Sequence, residues 1–143
     1  MKYFEKGSKA FLEQKYPEAA VSYQKALDLE KKNRTLSQDY FRVLVDNLGM
    51  SYGIPGKLDQ AKEIFEYGLT QDPQYPLFYY NLACTYGEQR KMDEAIAQLR
   101  LAFKYKDNMI KGETMPDPLK DDSFRYFVDN KDFVRVVHEL QQQ

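Results

Sequence analysis

Few residues of this chain are equipped for covalent chemistry. Cys84 is the single cysteine and His138 the single histidine. A nucleophilic dyad would need these two side by side, with the histidine taking the thiol proton. Inert buried cysteines are common, and that is the simpler reading of Cys84. His138 falls on the last apolar-periodic stretch, between core residues, and reads as a surface or cap residue. A zinc site needs more Cys and His ligands than exist here. The stretch Gly53-Ile54-Pro55-Gly56-Lys57 lacks the spacing and the Ser/Thr of a phosphate-binding loop. Asp121-Asp122 and Asp28/Glu30 read as helix-start and solvated charges. No catalytic residue, no metal and no cofactor is therefore expected, and the chain is read as a non-enzyme. The remaining polar feature is a pair of amides, Asn47 and Asn81. An amide carries both a donor and an acceptor, so it can pair with a peptide backbone of any sequence.

Composition narrows the class further. The 143 residues are 43% hydrophobic and 30% charged, normal for one globular domain with a core. The net charge of -1 gives no general pull toward nucleic acid or an anionic membrane. Basic and aromatic residues interleave at Lys104-Tyr105-Lys106 and Arg125-Tyr126-Phe127, but Asp107, Asp121, Asp122 and Asp129 balance them. No nucleic-acid partner is expected. No apolar run approaches the roughly 18 residues of a membrane span, and Met1 to Leu12 has no apolar region of the signal-peptide kind. A cytoplasmic location without a membrane partner is the expectation. With one cysteine, no intramolecular disulfide supports the fold. The 12 tyrosines are the unusual feature. Tyrosine suits half-buried helix faces and binding surfaces, since its ring buries and its hydroxyl stays wet.

The chain repeats itself. Asn47-Leu48-Gly49-Met50-Ser51-Tyr52-Gly53 recurs 34 residues later as Asn81-Leu82-Ala83-Cys84-Thr85-Tyr86-Gly87. Leu58-Asp59 maps onto Met92-Asp93 and Ala61 onto Ala95 at the same offset. A fainter earlier copy lies 42 residues upstream, with Gly7 on Gly49, Ala19 on Ala61 and Tyr23 on Phe65. The surplus of eight residues falls where the apolar rhythm lapses, between Lys32 and Tyr40, as a longer helix or a loop. The small residues let two helices approach closely, and Tyr23, Phe65 and Leu99 fill the seam beside them. Pro76 suits a first helical turn, and Pro55-Gly56 punctuates a turn that Arg90-Lys91 repeats without glycine. Helices are predicted near 2–14, 17–32, 38–54, 58–71, 76–89 and 92–106. After a loop over 107–121, Asp122-Ser123 predicts a helix start. Phe124, Phe127 and Val128 sit at helical spacing, and a last helix carries Phe133, Val136, Val137 and Leu140.

The period and its key residues resemble the tetratricopeptide repeat. The second copy fits best, with Val45, Leu48, Gly49, Tyr52, Ala61, Phe65 and Pro73. The third has Tyr79, Leu82, Ala83, Tyr86, Ala95 and Leu99, with Asp107 in place of the closing proline. The first has Tyr3, Gly7, Ala19 and Tyr23, with Lys6, Ala10 and Lys31 off pattern. The resemblance implies an all-α fold: a right-handed solenoid of three helix-turn-helix hairpins plus C-terminal capping helices. It would be one domain, with repeats at about 1–33, 42–75 and 76–109, an insertion at 34–41, and a loop and capping helices at 110–143. The tail is also similar to those that close many bacterial proteins of this type.

The same resemblance implies where a partner binds. First helices of such repeats line a concave groove. Carried over, the groove residues are Phe4, Glu5 and Ser8; Val43, Asp46, Asn47 and Met50; and Leu77, Tyr80, Asn81 and Cys84. Asn47 and Asn81 resemble an asparagine ladder that holds an extended peptide, broken at Glu5; alternatively both bond within the repeats. The cationic clamp for a C-terminal carboxylate is mostly missing: Phe4, Ser8, Leu77 and Asn81 occupy its charged and amide places, and only Asn47 matches. The expected function is a non-enzymatic protein- or peptide-binding adaptor. The alternatives are a self-associating scaffold segment, a homodimer among its forms, and a dedicated secretion-type chaperone for one client.

Overall fold

One turn, used three times, sets the arrangement of the helices. In a computed structural model that describes residues 1–143, Gln14, Gly56 and Arg90 all have positive φ, at 60°, 99° and 60°. Each follows a helix end closed by the same bonds. Lys15, Lys57 and Lys91 donate their N–H to the carbonyls of Ala10, Tyr52 and Tyr86 at 2.8–2.9 Å. This is the left-handed helix stop that glycine usually supplies. Gln14 and Arg90 end their helices earlier than the periodicity predicts.

The helices are α1 (Lys2–Leu12), α2 (Tyr16–Lys32), α3 (Gln38–Gly53), α4 (Leu58–Gln71), α5 (Pro76–Glu88), α6 (Met92–Lys104) and α7 (Lys131–Gln141), with no strand. Two compact units divide the chain, Met1–Thr70 and Gln71–Gln143.

In the first unit the seams of α1/α2 and α3/α4 are built alike. Gly7 lies under the Tyr23 ring, where a Cβ would stand 2.7 Å from Cδ1, and Gly49 lies under the ring of Phe65 in the same way. Ala19, Tyr23, Ala61 and Phe65 are all buried. An aromatic ring thus fills the space left by a missing Cβ. The eight-residue surplus is not a simple insertion at 34–41. α2 has 17 residues where α4 has 14, and α3 starts at Gln38 with Ser37 as its cap. Residues 38–41 are therefore helix, and the connection is only 33–37. Glu30 organises it: its carboxylate accepts from the Thr35 N–H at 3.0 Å, the Thr35 hydroxyl at 2.7 Å and the Leu36 N–H at 3.1 Å. Glu30 is thus buried and bonded, not the solvated charge its sequence position suggests.

In the second unit α5 and α6 pair, and the chain then turns back onto them. The core joins Ala83, Ala95 and Leu99 of the hairpin with Phe124, Phe127, Phe133 and Val137 of the C-terminal segment. Here the small residue is alanine and its partner leucine, which keeps the seam volume similar to Gly–Tyr and Gly–Phe. The predicted helix at 122–128 is a 3-10 turn over Asp122–Phe124 followed by further turns. Successive i+3 bonds, Phe127 N–H to Phe124 and Asn130 N–H to Phe127, replace the α-helical ones. Residues i and i+3 eclipse in this geometry. Phe124 and Phe127 therefore enter the core together, and Val128 is exposed. Asp121, not Asp122 or Ser123, caps the turn by accepting from the Ser123 N–H. Asn130 caps α7 by accepting from the N–H of Asp132 and Phe133.

Candidate functional site

Two polar residues of the first helices, Ser8 and Asn47, are held by one tyrosine. In the first unit the Tyr23 hydroxyl donates to Ser8 Oγ at 2.9 Å and accepts from Asn47 Nδ2 at 3.1 Å. The ring of Tyr23 is fully buried, so α2 supplies a fixed post between α1 and α3. Phe4 is buried edge-on against both Tyr23 and Tyr40, with centroids 6.0 and 5.7 Å away. It is a packing residue, not a groove-lining one. Glu5 is exposed; Ser8, Val43, Asp46, Asn47 and Met50 are half-buried. The Asn47 carbonyl accepts from the Ser51 hydroxyl at 2.7 Å, and the Asn81 carbonyl from the Thr85 hydroxyl at 3.0 Å, so the two asparagines share a local setting. One Asn47 donor is committed to Tyr23, as the reading of bonds within the repeats expects.

The second unit treats its first helix differently. Tyr80 is 1% exposed; its hydroxyl donates to Asp121 Oδ2 at 2.8 Å, and its ring meets Phe124 edge-on at 6.0 Å. Burial, with the Cys84 and Asp121 charges, pushes its pKa up. Cys84 Sγ lies 3.8 Å from the same carboxylate oxygen. Tyr80 therefore offers no surface to a ligand while residues 121–124 are in place. Leu77 packs on the same core, and Asn81 is half-buried. Gly87 makes this closure possible, since a Cβ there would meet the Ser123 carbonyl oxygen and stand 3.0 Å from Phe124 Cδ1.

Sequence reasoning did not find the anchors of the loop. Tyr75 is fully buried and donates to both Glu113 oxygens at 2.7 and 2.9 Å. Gln141 donates to Asp117 Oδ1 at 2.9 Å. Three of the tyrosines, Tyr23, Tyr75 and Tyr80, are interior struts with bonded hydroxyls rather than half-wet surface rings. The high tyrosine count was the available signal; the acceptors, 38 and 41 residues away for Tyr75 and Tyr80, were not legible.

His138 is exposed on α7. No three His, Cys, Asp or Glu side chains are grouped as a metal ion would need. No helix is long and apolar enough to cross a membrane.

A family model described as Tetratricopeptide repeat matches residues 64–97, a window one repeat long. With the recurring helix pairs and turns, the match supports an all-α repeat protein of the tetratricopeptide type. Domains of this family generally mediate protein–protein interaction and are typically non-catalytic. No curated protein matches the chain.

Proposed function

We propose that this chain is an adaptor that binds an extended segment of a partner protein along the first helices of its N-terminal unit, α1 and α3. The supporting observation is the Ser8–Tyr23–Asn47 chain of hydrogen bonds, which presents a hydroxyl and an amide from a rigid base. Half-buried Val43 and Met50 lie on the same first helix as Asn47, and exposed Glu5 lies on α1. Polar groups fixed in advance lose little entropy on meeting a peptide backbone, which favours extended-peptide capture. Tyr80 and Cys84, which a groove running through every repeat would use, face the chain's own C-terminal segment.

Affinity recovery from native lysate with wild type and Asn47→Ala tests the reading, with circular dichroism as the control on folding. A partner lost only from the variant, at unchanged helicity, supports it. Equal recovery of the same proteins by both forms would remove α3 from the interface.

A further inference from the structure

Between α6 and α7 the chain runs back along α5, from the start of that helix toward its end. Glu113 accepts from the hydroxyl of Tyr75, the residue just ahead of α5. Asp121 meets Tyr80 and Cys84 in the middle of the helix, and the Ser123 carbonyl lies against Gly87 near its end. Met115 and Leu119, between the two carboxylates, are half-buried on the same core as Leu77. The segment is irregular over 113–117. Leu77, Tyr80 and Cys84, which the sequence marks as ligand-facing, are thus covered by a stretch of their own chain.

Side chains hold this stretch in place. Tyr75 donates to Glu113, Gln141 of α7 to Asp117, and Tyr80 to Asp121. Its backbone bonds close turns of its own: the Glu113 N–H bonds Ile110, and the N–H groups of Lys120 and Asp121 bond Asp117. A segment tied down in this way can open locally without breaking the ladder of a helix. Its ends differ. Gly112 sits at φ 95° with open space around it, which suits a hinge. Phe124, fully buried, pins the far end.

We propose that residues 113–121 are an internal ligand, a strap that closes the α5 face until an extended segment of a partner protein takes its place. The partner segment carries a carboxylate at each end and apolar side chains between them. A departing strap leaves the Tyr75 and Tyr80 hydroxyls without their acceptors, so a good occupant has to return both carboxylates. The tethered strap acts at the high effective concentration of an intramolecular arm, which keeps the face closed in the free chain. Exchange of the strap between two copies is disfavoured. It would pull open the turn in which Glu113 also accepts from the Ile110 N–H at 2.9 Å, whereas lifting in place leaves that turn closed. The device involves neither α1 nor α3 and stands independently of the adaptor reading.

A fluorescein-labelled peptide of residues 109–122, and the same peptide with Glu113→Gln, test the proposal. Both are titrated by anisotropy against wild type, Glu113→Ala and Glu113→Ala/Tyr75→Phe, with circular dichroism as the control on folding. Glu113→Ala weakens the strap and leaves α5 unchanged, so it binds the first peptide about tenfold more tightly than wild type does. Amide shifts in ¹⁵N-labelled protein fall on Tyr75, Leu77 and Tyr80. The Glu113→Gln peptide and the double variant both lose the gain. If Glu113→Ala loses helicity, Glu113→Gln, which keeps the side-chain shape, takes its place in the titrations. Equal binding by wild type and the weakened-strap variant, no binding at about 1 mM, or shifts centred on Asn47 and Met50 overturns the proposal. So does a dimer that grows with concentration and that the free peptide dissociates, since the face would then serve exchange between copies.

Discussion

Glu30 shows at the residue scale how a charge can hold a connection in place. Burial alone would raise its pKa, but hydrogen bonds from the Thr35 hydroxyl and the N–H groups of Leu36 and Thr35, helped by Arg34, outweigh this and hold it below the ordinary value of 4.5. A carboxylate depressed in the folded state adds stability above its unfolded pKa and loses it as pH falls through the folded value. Glu30→Gln should therefore be less stable than wild type by about 1 kcal/mol at neutral pH. The gap should narrow at a second, acid pH, as the carboxyl takes up its proton on passing below the lowered folded value. Urea unfolding of the pair at the two pH values checks this; a gap that persists in acid would assign the effect to packing. The residue was visible in the sequence only as one acidic side chain among many, because its value depends on two N–H groups that a non-helical connection leaves unpaired.

At the scale of elements, the repeated turn is where local chemistry and observed backbone disagree. Gly56 meets the left-handed position with the residue suited to it, whereas Gln14 and Arg90 hold φ near 60° with a Cβ in place. Arg90 also stacks its guanidinium over Tyr126 at 4.1 Å, so its change would mix two effects. Gln14 is exposed and is the cleaner test. Gln14→Gly should stabilise the fold by about 0.5–1 kcal/mol, the relief of left-handed strain exceeding the added freedom of the unfolded chain. A higher thermal midpoint with unchanged helicity is the expected result, and an unchanged or lower midpoint would show that the turn is unstrained. Helix existence and order were legible from periodicity because each helix needs only its own apolar stripe and its own stop. The stretch at 122–128 carries an α-helical spacing yet forms a 3-10 run, because that geometry also places Phe124 and Phe127 on one side.

At the scale of the whole molecule, the C-terminal segment folds back within the second unit and encloses Tyr80 of α5. Its fit on α5 depends on the bare Cα of Gly87 beneath Ser123 and Phe124. Gly87→Ala should push this segment away at a cost of about 2 kcal/mol. Hydrogen exchange should then quicken over 121–128 while α1 and α2 exchange as in wild type. Wild-type protection over 121–128 would mean that the backbone yields and the segment stays seated.

The sequence by itself determined the repeat, the helix order and the pairing of small with large residues, Gly7 with Tyr23 and Gly49 with Phe65. These follow from spacing along the chain, and spacing is a local property. Only the tertiary structure decided that Tyr80 is enclosed while Asn47 remains half-buried, and that Tyr75 and Tyr80 bond Glu113 and Asp121. A buried hydroxyl must find an acceptor, but which carboxylate supplies it is set by how a distant segment folds back, and no periodicity records that.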